Sequence, residues 1–196
     1  MVAYKYDVPG NTIPGALIYG QGSDGKAYPL LINEANAQFN DKNGVYASAN
    51  FTPAAAAYSA GDIMDVTKEM AWTYANGVAV PSGSIIRILT TLLKIDVTSV
   101  PAGQTSYGLQ LYGVTPPSAQ ADNDAWTLAS ADLSAYVGRV ELGSPVDLGA
   151  SSFVRYPYID FDFKLTGTSL FARLVTDGAH TAAAVARQVL LRGVVL

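Results

Sequence analysis

The sequence contains no cysteine and only one histidine, His180. The first absence excludes a disulfide framework and a cysteine-based zinc site, and the second leaves no histidine cluster for a transition metal. Charge is scarce as well, because 14% of the residues are charged and the formal net charge is −4. A chain without a basic surplus is poorly suited to neutralising the phosphates of DNA or RNA, so we expect no nucleic-acid partner.

Long apolar runs are also missing. No stretch approaches the roughly 20 apolar residues that span a bilayer. The opening residues, MVAYKYDVPGNTIPG, have neither a cationic start followed by an apolar run nor a small-residue cleavage site. We therefore expect no membrane partner and a cytoplasmic product. With 196 residues, the chain is long enough to bury a core of its own.

The residues that are present are typical of strands and turns. Gly, Pro, Ser, Thr and Asn punctuate the chain at short intervals, and aromatic and β-branched residues fill the gaps. The clearest strand is YIDFDFKL, residues 158–165, whose apolar and charged side chains alternate. SYGLQLYGV and TSLFARLV, which start at residues 106 and 168, are further candidates. Their spacing predicts an all-β sandwich or barrel.

Three segments fit both a helix and a strand. SIIRILTTLLKIDV, residues 84–97, has a helical stripe of aliphatic residues, but its Ile, Thr and Val content favours one long strand that bends or bulges. FTPAAAAYSAGD, residues 51–62, could begin a helix at Thr52, although we prefer a loop leading into a strand GDIMDV. AAAVARQVLLR, residues 182–192, stays open between a helix and a final strand.

One short helix has a clear signal. Ser130 can cap the segment ADLSAYV, and Gly138 follows where such a helix would end. Gly138 is then followed by RVEL, which resumes an extended pattern.

The chain is predicted to have two parts. Residues 1–45, rich in Gly, Asn and Pro, form an extended N-terminal arm with a hairpin, and residues 46–196 form the β-sandwich core domain. Large apolar and aromatic side chains in an arm too polar to build its own core favour an interface with another chain. We expect these contacts with a capsid or a second subunit at Tyr4, Tyr6, Ile13 and Tyr19.

The stretch YGQGSDGKAYP, residues 19–29, matches two phosphate-binding patterns, G-x-G-x-x-G and G-x-x-x-x-G-K. Both patterns need a helix after the glycines, because the amides at its N-terminus bind the phosphate. Here Pro29 follows closely, AYPLLI is typical of a strand, and Ala27 stands where a magnesium-binding hydroxyl belongs. Ser23 to Gly25 instead predict a hairpin-like turn.

Other candidate chemistry is sparse. Asp160 and Asp162 share a strand face with Cβ atoms roughly 7 Å apart, and with Tyr156 and Tyr158 they are the one cluster that could bind a cation or a sugar. DNDAW, residues 122–126, begins like a calcium loop but lacks the later oxygen ligands and the glycine. His180 is expected at the surface, and the chain has no G-x-S-x-G elbow. We expect no catalytic residue, no metal and no cofactor.

Three stretches together resemble virion proteins of tailed bacteriophages. They are SDGKAYPLLIN (residues 23–33), FTPAAAAYSAGDIMD (residues 51–65) and DNDAWTLASADLSAYVGRVEL (residues 122–142). In that family an F-T-P-A-x-x-A-Y-x-A-G-D segment precedes the first core strand, and a D-N-x-A-x-T-L-x-x-A-D-L segment forms a short helix. The resemblance covers roughly residues 20–196, and its motifs are structural rather than catalytic.

The resemblance implies a jelly-roll-like antiparallel β-sandwich with one short helix and an extended N-terminal arm. It further implies a head decoration (cement) protein, a homotrimer that binds the major capsid protein on the exterior of the virion after synthesis in the host cytoplasm. A tail, baseplate or fibre component of the same virion is the alternative, and a carbohydrate-binding or depolymerising module is a third.

Overall fold

The fold is taken from a computed structural model, which describes residues 19–21, 27–29 and 44–196. For residues 19–21, 27–29 and 155–158 it describes the backbone only. These residues form fourteen strands and one 3₁₀ helix, Ser130–Asp132. The strands in chain order are β1 (Tyr19–Gln21), β2 (Ala27–Pro29), β3 (Gly44–Phe51), β4 (Ala57–Tyr58), β5 (Lys68–Ala71), β6 (Thr73–Tyr74), β7 (Ile85–Ile95), β8 (Tyr107–Tyr112), β9 (Tyr136–Gly143), β10 (Val146–Asp147), β11 (Ser152–Lys164), β12 (Ser169–Thr176), β13 (His180–Thr181) and β14 (Arg187–Val195).

The chain divides into a small unit, residues 1–41, and a large unit, residues 42–196. In the small unit β1 and β2 pair antiparallel, with Tyr19 opposite Pro29 and Gln21 opposite Ala27. Two extended segments therefore flank the glycine-rich stretch, and the helix that a phosphate loop requires does not follow it. The predicted turn itself, residues 22–26, lies outside the described residues.

The large unit is built from two antiparallel sheets. The front sheet has the order β10-β11-β7-β14-β3-β6, and the back sheet has the order β5-β12-β8-β9. When the eight main strands β3, β5, β7, β8, β9, β11, β12 and β14 are counted from first to last, the first pairs with the eighth, the second with the seventh, the third with the sixth and the fourth with the fifth. This nested pairing is the double Greek key of a jelly roll, so the predicted all-β jelly-roll-like sandwich is confirmed.

The core lies between the two sheets and follows from the strand period of two. In β7 and β14 buried side chains alternate with exposed or half-buried ones, apart from the bulge in β7 and the end of β14, and the buried ones include Ile86, Ile88 and Leu191. Trp72, fully buried, packs on Phe163 of β11 with 5.7 Å between ring centroids. Fully burying an aliphatic or aromatic side chain stabilises the fold by about 1.5–3 kcal/mol.

The ambiguous segment at residues 84–97 is a strand, as predicted, and it bulges. Ile88 pairs with Gly193 and Thr90 pairs with Arg192, so Leu89 has no partner in β14. Gly193 is required at this point because a Cβ there would collide with the backbone carbonyl of Arg87. The open segment at residues 182–192 is also resolved, since its second half is the final strand β14.

The predicted short helix is wrong in its extent. It is a single 3₁₀ turn, Ser130–Asp132, with Ala129 rather than Ser130 at the N-cap position. β9 has already begun at Tyr136, so Gly138 lies inside a strand, where its positive φ of 146° places it against the Phe161 ring. Helix nucleation is unfavourable, and so few residues do not compensate for it. The side chain of Asp132 belongs to a buried polar cluster that is described below.

Two further expectations need correction. Within the predicted strand GDIMDV, Asp62 and Ile63 form only isolated bridges, to Ala125 and Val175. The loop preferred for residues 51–62 is otherwise confirmed, because no helix forms there and only the short β4 interrupts it. The alternation in SYGLQLYGV predicts Gln110 on the side opposite Tyr107, Leu109 and Leu111, yet it is 1% exposed. The reason is that residues 113–135 fold over the outer side of the back sheet.

Candidate interaction surface

The two sheets differ in what covers their outer sides. On the back sheet, all six residues of β8 and seven of the eight in β12 are buried. Residues 113–135 cover them, as shown by Trp126, whose Nε1 donates to the Tyr112 hydroxyl at 3.0 Å. On the front sheet, the outward residues of β3, β7 and β14 are exposed or half-buried. We call the outward side chains of β3, β7, β11 and β14 the front face.

The front face exposes several large apolar side chains. Tyr46 is 40% exposed, Ile85 is 46% exposed and Leu89 is 39% exposed. Leu92 and Leu190 lie directly opposite each other on β7 and β14 and are half-buried. Outward strand positions in a protein that functions alone are usually polar, and contiguous exposed apolar patches mark interaction sites.

Asp160 and Asp162 lie close together on the front face, and Arg87 forms an ion pair with each of them. The Arg87 Nε lies 3.0 Å from Asp160 Oδ1, and Arg87 donates to both oxygens of Asp162 at 2.7 Å. The hydrogen bonds from Arg87 hold the pKa of Asp162 below its usual range. Asp160 has a positive φ of 47° beside the register shift in β11. Both carboxylates are therefore already paired with one arginine, and the side chains of Tyr156 and Tyr158 lie outside the described residues.

The predicted contact residues fall mainly outside the described part of the chain. Tyr4, Tyr6 and Ile13 belong to the residues that the structure does not describe. Tyr19 is the first residue of β1, and its backbone pairs with Pro29. These four residues stay predictions.

A buried polar cluster fixes residues 113–135 on the back sheet. Arg173 and Asp132 are both 0% exposed, and their Nη1 and Oδ2 atoms lie 3.3 Å apart. Arg173 also donates to Gln120 Oε1 at 2.7 Å and lies 5.0 Å above the Tyr112 ring. Burial alone raises the pKa of Asp132, but hydrogen bonds from the hydroxyl and amide of Ser118, together with Arg173, bring it below its ordinary value.

A second polar cluster joins two loops through Asp122. Its carboxylate accepts hydrogen bonds from the amide of Ala54 at 2.8 Å, the amide of Asp65 at 2.6 Å and the hydroxyl of Tyr58 at 2.8 Å. Burial raises the pKa of Asp122, yet the amide hydrogen bonds and the Tyr58 hydroxyl outweigh burial and lower it. We call these hydrogen bonds, which tie residues 122–126 to residues 54–65, the Asp122 clamp.

His180 is buried, not exposed as expected. It is 5% exposed, lies between Tyr58 and Tyr107, and its Nδ1 donates to the carbonyl of Gly178 at 3.1 Å. Burial lowers the pKa of His180, and Arg187 lowers it further against the opposing effect of the Gly178 hydrogen bond. The surface expectation failed because β13, a two-residue strand bridging to β4, turns the ring inward.

Sequence reasoning missed the roles of Arg173, Asp132 and Asp122. An arginine inside the apolar run TSLFARLV is a signal of a covered outward position, but its partner lies 41 residues away in the chain.

Among the described residues, no group of three or more His, Cys, Asp or Glu side chains could hold a metal ion. No helix in the described part of the chain is long and apolar enough to cross a membrane.

No protein-family model matches the chain, and no curated protein sequence matches it. Solved structures that resemble it include structures of viruses. The pentamer of Israel acute paralysis virus is 14% identical with a TM-score of 0.28, covering 79% of this chain and 88% of that chain. The native virion of Kashmir bee virus at acidic pH is 11% identical with a TM-score of 0.25, covering 96% and 94%. At such values the assignment of the fold rests on the strand order of this chain, which is that of a jelly roll.

Proposed function

We propose that this chain is a structural protein of a virion, specifically a head decoration (cement) protein of a tailed bacteriophage. It binds the major capsid protein on the capsid exterior as a homotrimer, after synthesis in the host cytoplasm. The proposal assigns the chain no catalytic role and no cofactor.

One observation carries this proposal. Two of the stretches that resemble phage virion proteins, residues 51–65 and 122–142, lie against each other in the folded chain. Besides the Asp122 clamp, the amide of Trp126 donates to the carbonyl of Gly61 at 2.9 Å, and the amide of Ile63 donates to the carbonyl of Asp124 at 2.8 Å. The two motifs thus form one loop assembly on a jelly roll, and this arrangement supports the proposal.

The proposed mechanism is multivalent attachment. A trimer presents three identical weak contacts, and once the first has formed the other two bind at high effective concentration, so modest patches give durable attachment. The N-terminal arm, with Tyr4, Tyr6 and Ile13, supplies contact area on the capsid, while the sandwich stays rigid because both of its polar clusters are satisfied.

Co-sedimentation of the purified protein with mature, expanded heads and with isolated tails tests this function. Saturation of heads at hundreds of copies supports a decoration protein. Binding to tails alone, at tens of copies or fewer, would favour the tail, baseplate or fibre alternative, and binding to neither would reject both.

Removal of residues 1–15 tests the arm. The truncated protein is expected to keep its far-ultraviolet circular dichroism and its oligomeric mass but to lose binding to heads. The matched control replaces Val78, an exposed apolar residue of the core domain outside the strands of the front face, with serine. Retained binding by the truncated protein would reject the arm as the capsid contact.

A further inference from the structure

The charges of the front face are unbalanced. Among the side chains that the structure describes there, it carries Arg87, Lys94, Lys164 and Arg192 against Asp160 and Asp162. Arg87 is neutralised by the two aspartates, whereas Lys94, Lys164 and Arg192 form no salt bridge with any described residue. The front face therefore has a positive surplus, in a chain whose formal net charge is −4.

The opposite side of the sandwich has the reverse imbalance. We call the outward side of the back sheet, together with residues 113–135, the back face. Its acidic side chains are Glu69, Asp122, Asp124, Asp132, Glu141 and Asp177, and its basic ones are Arg139 and Arg173. Both of these bases already form salt bridges, Arg139 with Glu141 and Asp177, and Arg173 with Asp132. The back face also exposes apolar groups, since Val114 is 46% exposed and Leu133 is 60% exposed.

We propose that the front face of one copy docks on the back face of a second copy of this chain. Both faces combine exposed apolar side chains with charges of opposite sign, so the contact removes apolar surface from water while pairing Lys94 and Arg192 with carboxylates. A front-to-front contact would bring two positive surpluses together, and like charges placed in contact oppose association.

The size of the front face fits such a contact. Four strands spaced about 4.8 Å apart and about nine residues long give a face of roughly 19 Å by 30 Å. This flat area of about 570 Å² approaches the ~800 Å² that each partner buries in a standard protein–protein interface. Because front-to-back contacts join two different surfaces, they close into a ring or continue as a chain, and a homotrimer is one closed form. The inference concerns contact between copies in solution and holds whether or not the chain binds capsids.

The experiment measures the mass of the full chain by light scattering or analytical ultracentrifugation across a range of protein concentrations. The front variant carries Lys94→Glu and Arg192→Glu, and the back variant carries Glu69→Lys and Glu141→Lys. A control variant carries Thr98→Glu and Ser99→Glu in the exposed loop after β7, away from both faces. Circular dichroism and the thermal midpoint verify that each variant folds.

We expect the wild type and the control to associate, and the front and back variants each to associate at least about 100-fold more weakly. Mixing the two variants should restore association, because the native back face of one meets the native front face of the other. Association of the wild type should also weaken as salt is raised, since salt screens exposed charges.

A front variant that keeps the mass of the wild type would overturn the proposal. So would a mixture of the two variants that stays monomeric, or a wild type that is monomeric at every concentration. The salt dependence needs no substitution, so an unfolded variant leaves a decisive measurement in place. None of these measurements uses capsids, so they are separate from the test of capsid binding; a monomeric wild type would also remove the trimer of the proposed function, whereas failure of the variants alone would leave that function untouched.

Discussion

Replacement of Asp132 by asparagine should destabilise the protein strongly. The substitution keeps the size of the side chain but removes the negative charge next to Arg173, and both residues are 0% exposed. Arg173 would keep neutral acceptors, among them the hydroxyl of Thr67 at 3.0 Å and Gln120 Oε1 at 2.7 Å. It would nevertheless be a buried cation without a counter-ion, and removing one partner of a buried pair costs about 3–5 kcal/mol.

The assay is urea unfolding at a fixed protein concentration and neutral pH, followed by tryptophan fluorescence. The chain has two tryptophans, Trp72 in the core and Trp126 in the segment above Arg173. For a domain of this size, a loss of 3–5 kcal/mol lowers the thermal midpoint by roughly 6–20 °C. The dependence of the free energy of unfolding on urea should stay unchanged, because the area exposed on unfolding is the same.

The double variant Arg173→Met with Asp132→Leu is the matched control. It removes both charges. Its free energy of unfolding should therefore be higher, by about 2 kcal/mol or more, than the value obtained by adding the losses of Arg173→Met alone and Asp132→Leu alone. Acid gives a second check. The pKa of Asp132 is lowered in the folded protein, so its contribution is present above its ordinary pKa of 3.8 and is lost as the pH falls through the folded value. The difference in the free energy of unfolding between the wild type and Asp132→Asn should therefore become smaller in acid. A loss below about 1 kcal/mol at neutral pH would refute the reasoning.

Three further predictions concern other parts of the sandwich. Burial lowers the pKa of His180, so its stabilising contribution is complete above about pH 6.5 and is lost as the pH falls through the folded pKa. The free energy of unfolding of His180→Phe should lack this part of the pH dependence. A pH profile of unfolding identical to that of the wild type would contradict the burial. Gly103 and Gly77 both have positive φ, but a Cβ at Gly103 would collide with a backbone carbonyl while one at Gly77 meets nothing within 4 Å. Gly103→Ala should therefore lower the free energy of unfolding by at least about 1 kcal/mol more than Gly77→Ala, and equal losses would argue against the close approach. Asp122→Ala removes the acceptor for two amides and the Tyr58 hydroxyl, so we expect the free energy of unfolding in urea to fall by about 3 kcal/mol. A fall of less than about 1 kcal/mol would contradict this role of Asp122.

Local alternation explains which features the sequence predicted well. Phe161, Phe163 and their charged neighbours have a period of two whatever the rest of the chain does, and the strand there follows directly from it. The long strand β7 and its bulge were also predictable, because β-branched residues filled a segment longer than a typical strand. The contact residues in the arm remain predictions, since Tyr4, Tyr6 and Ile13 lie outside the described residues.

The sequence by itself determined the all-β class and the strands β7, β8, β11 and β12, because these depend on the pattern of neighbours within a few residues. Only the tertiary structure decided that Arg173 is buried beside Asp132, that Asp122 clamps a loop 57 to 68 residues away, and that His180 faces inward. It also decided that the outer side of the back sheet is covered, whereas the outward residues of the front sheet, within the described part of the chain, stay exposed or half-buried. Such facts depend on which distant segment folds over which strand, and no local pattern of residues records that choice.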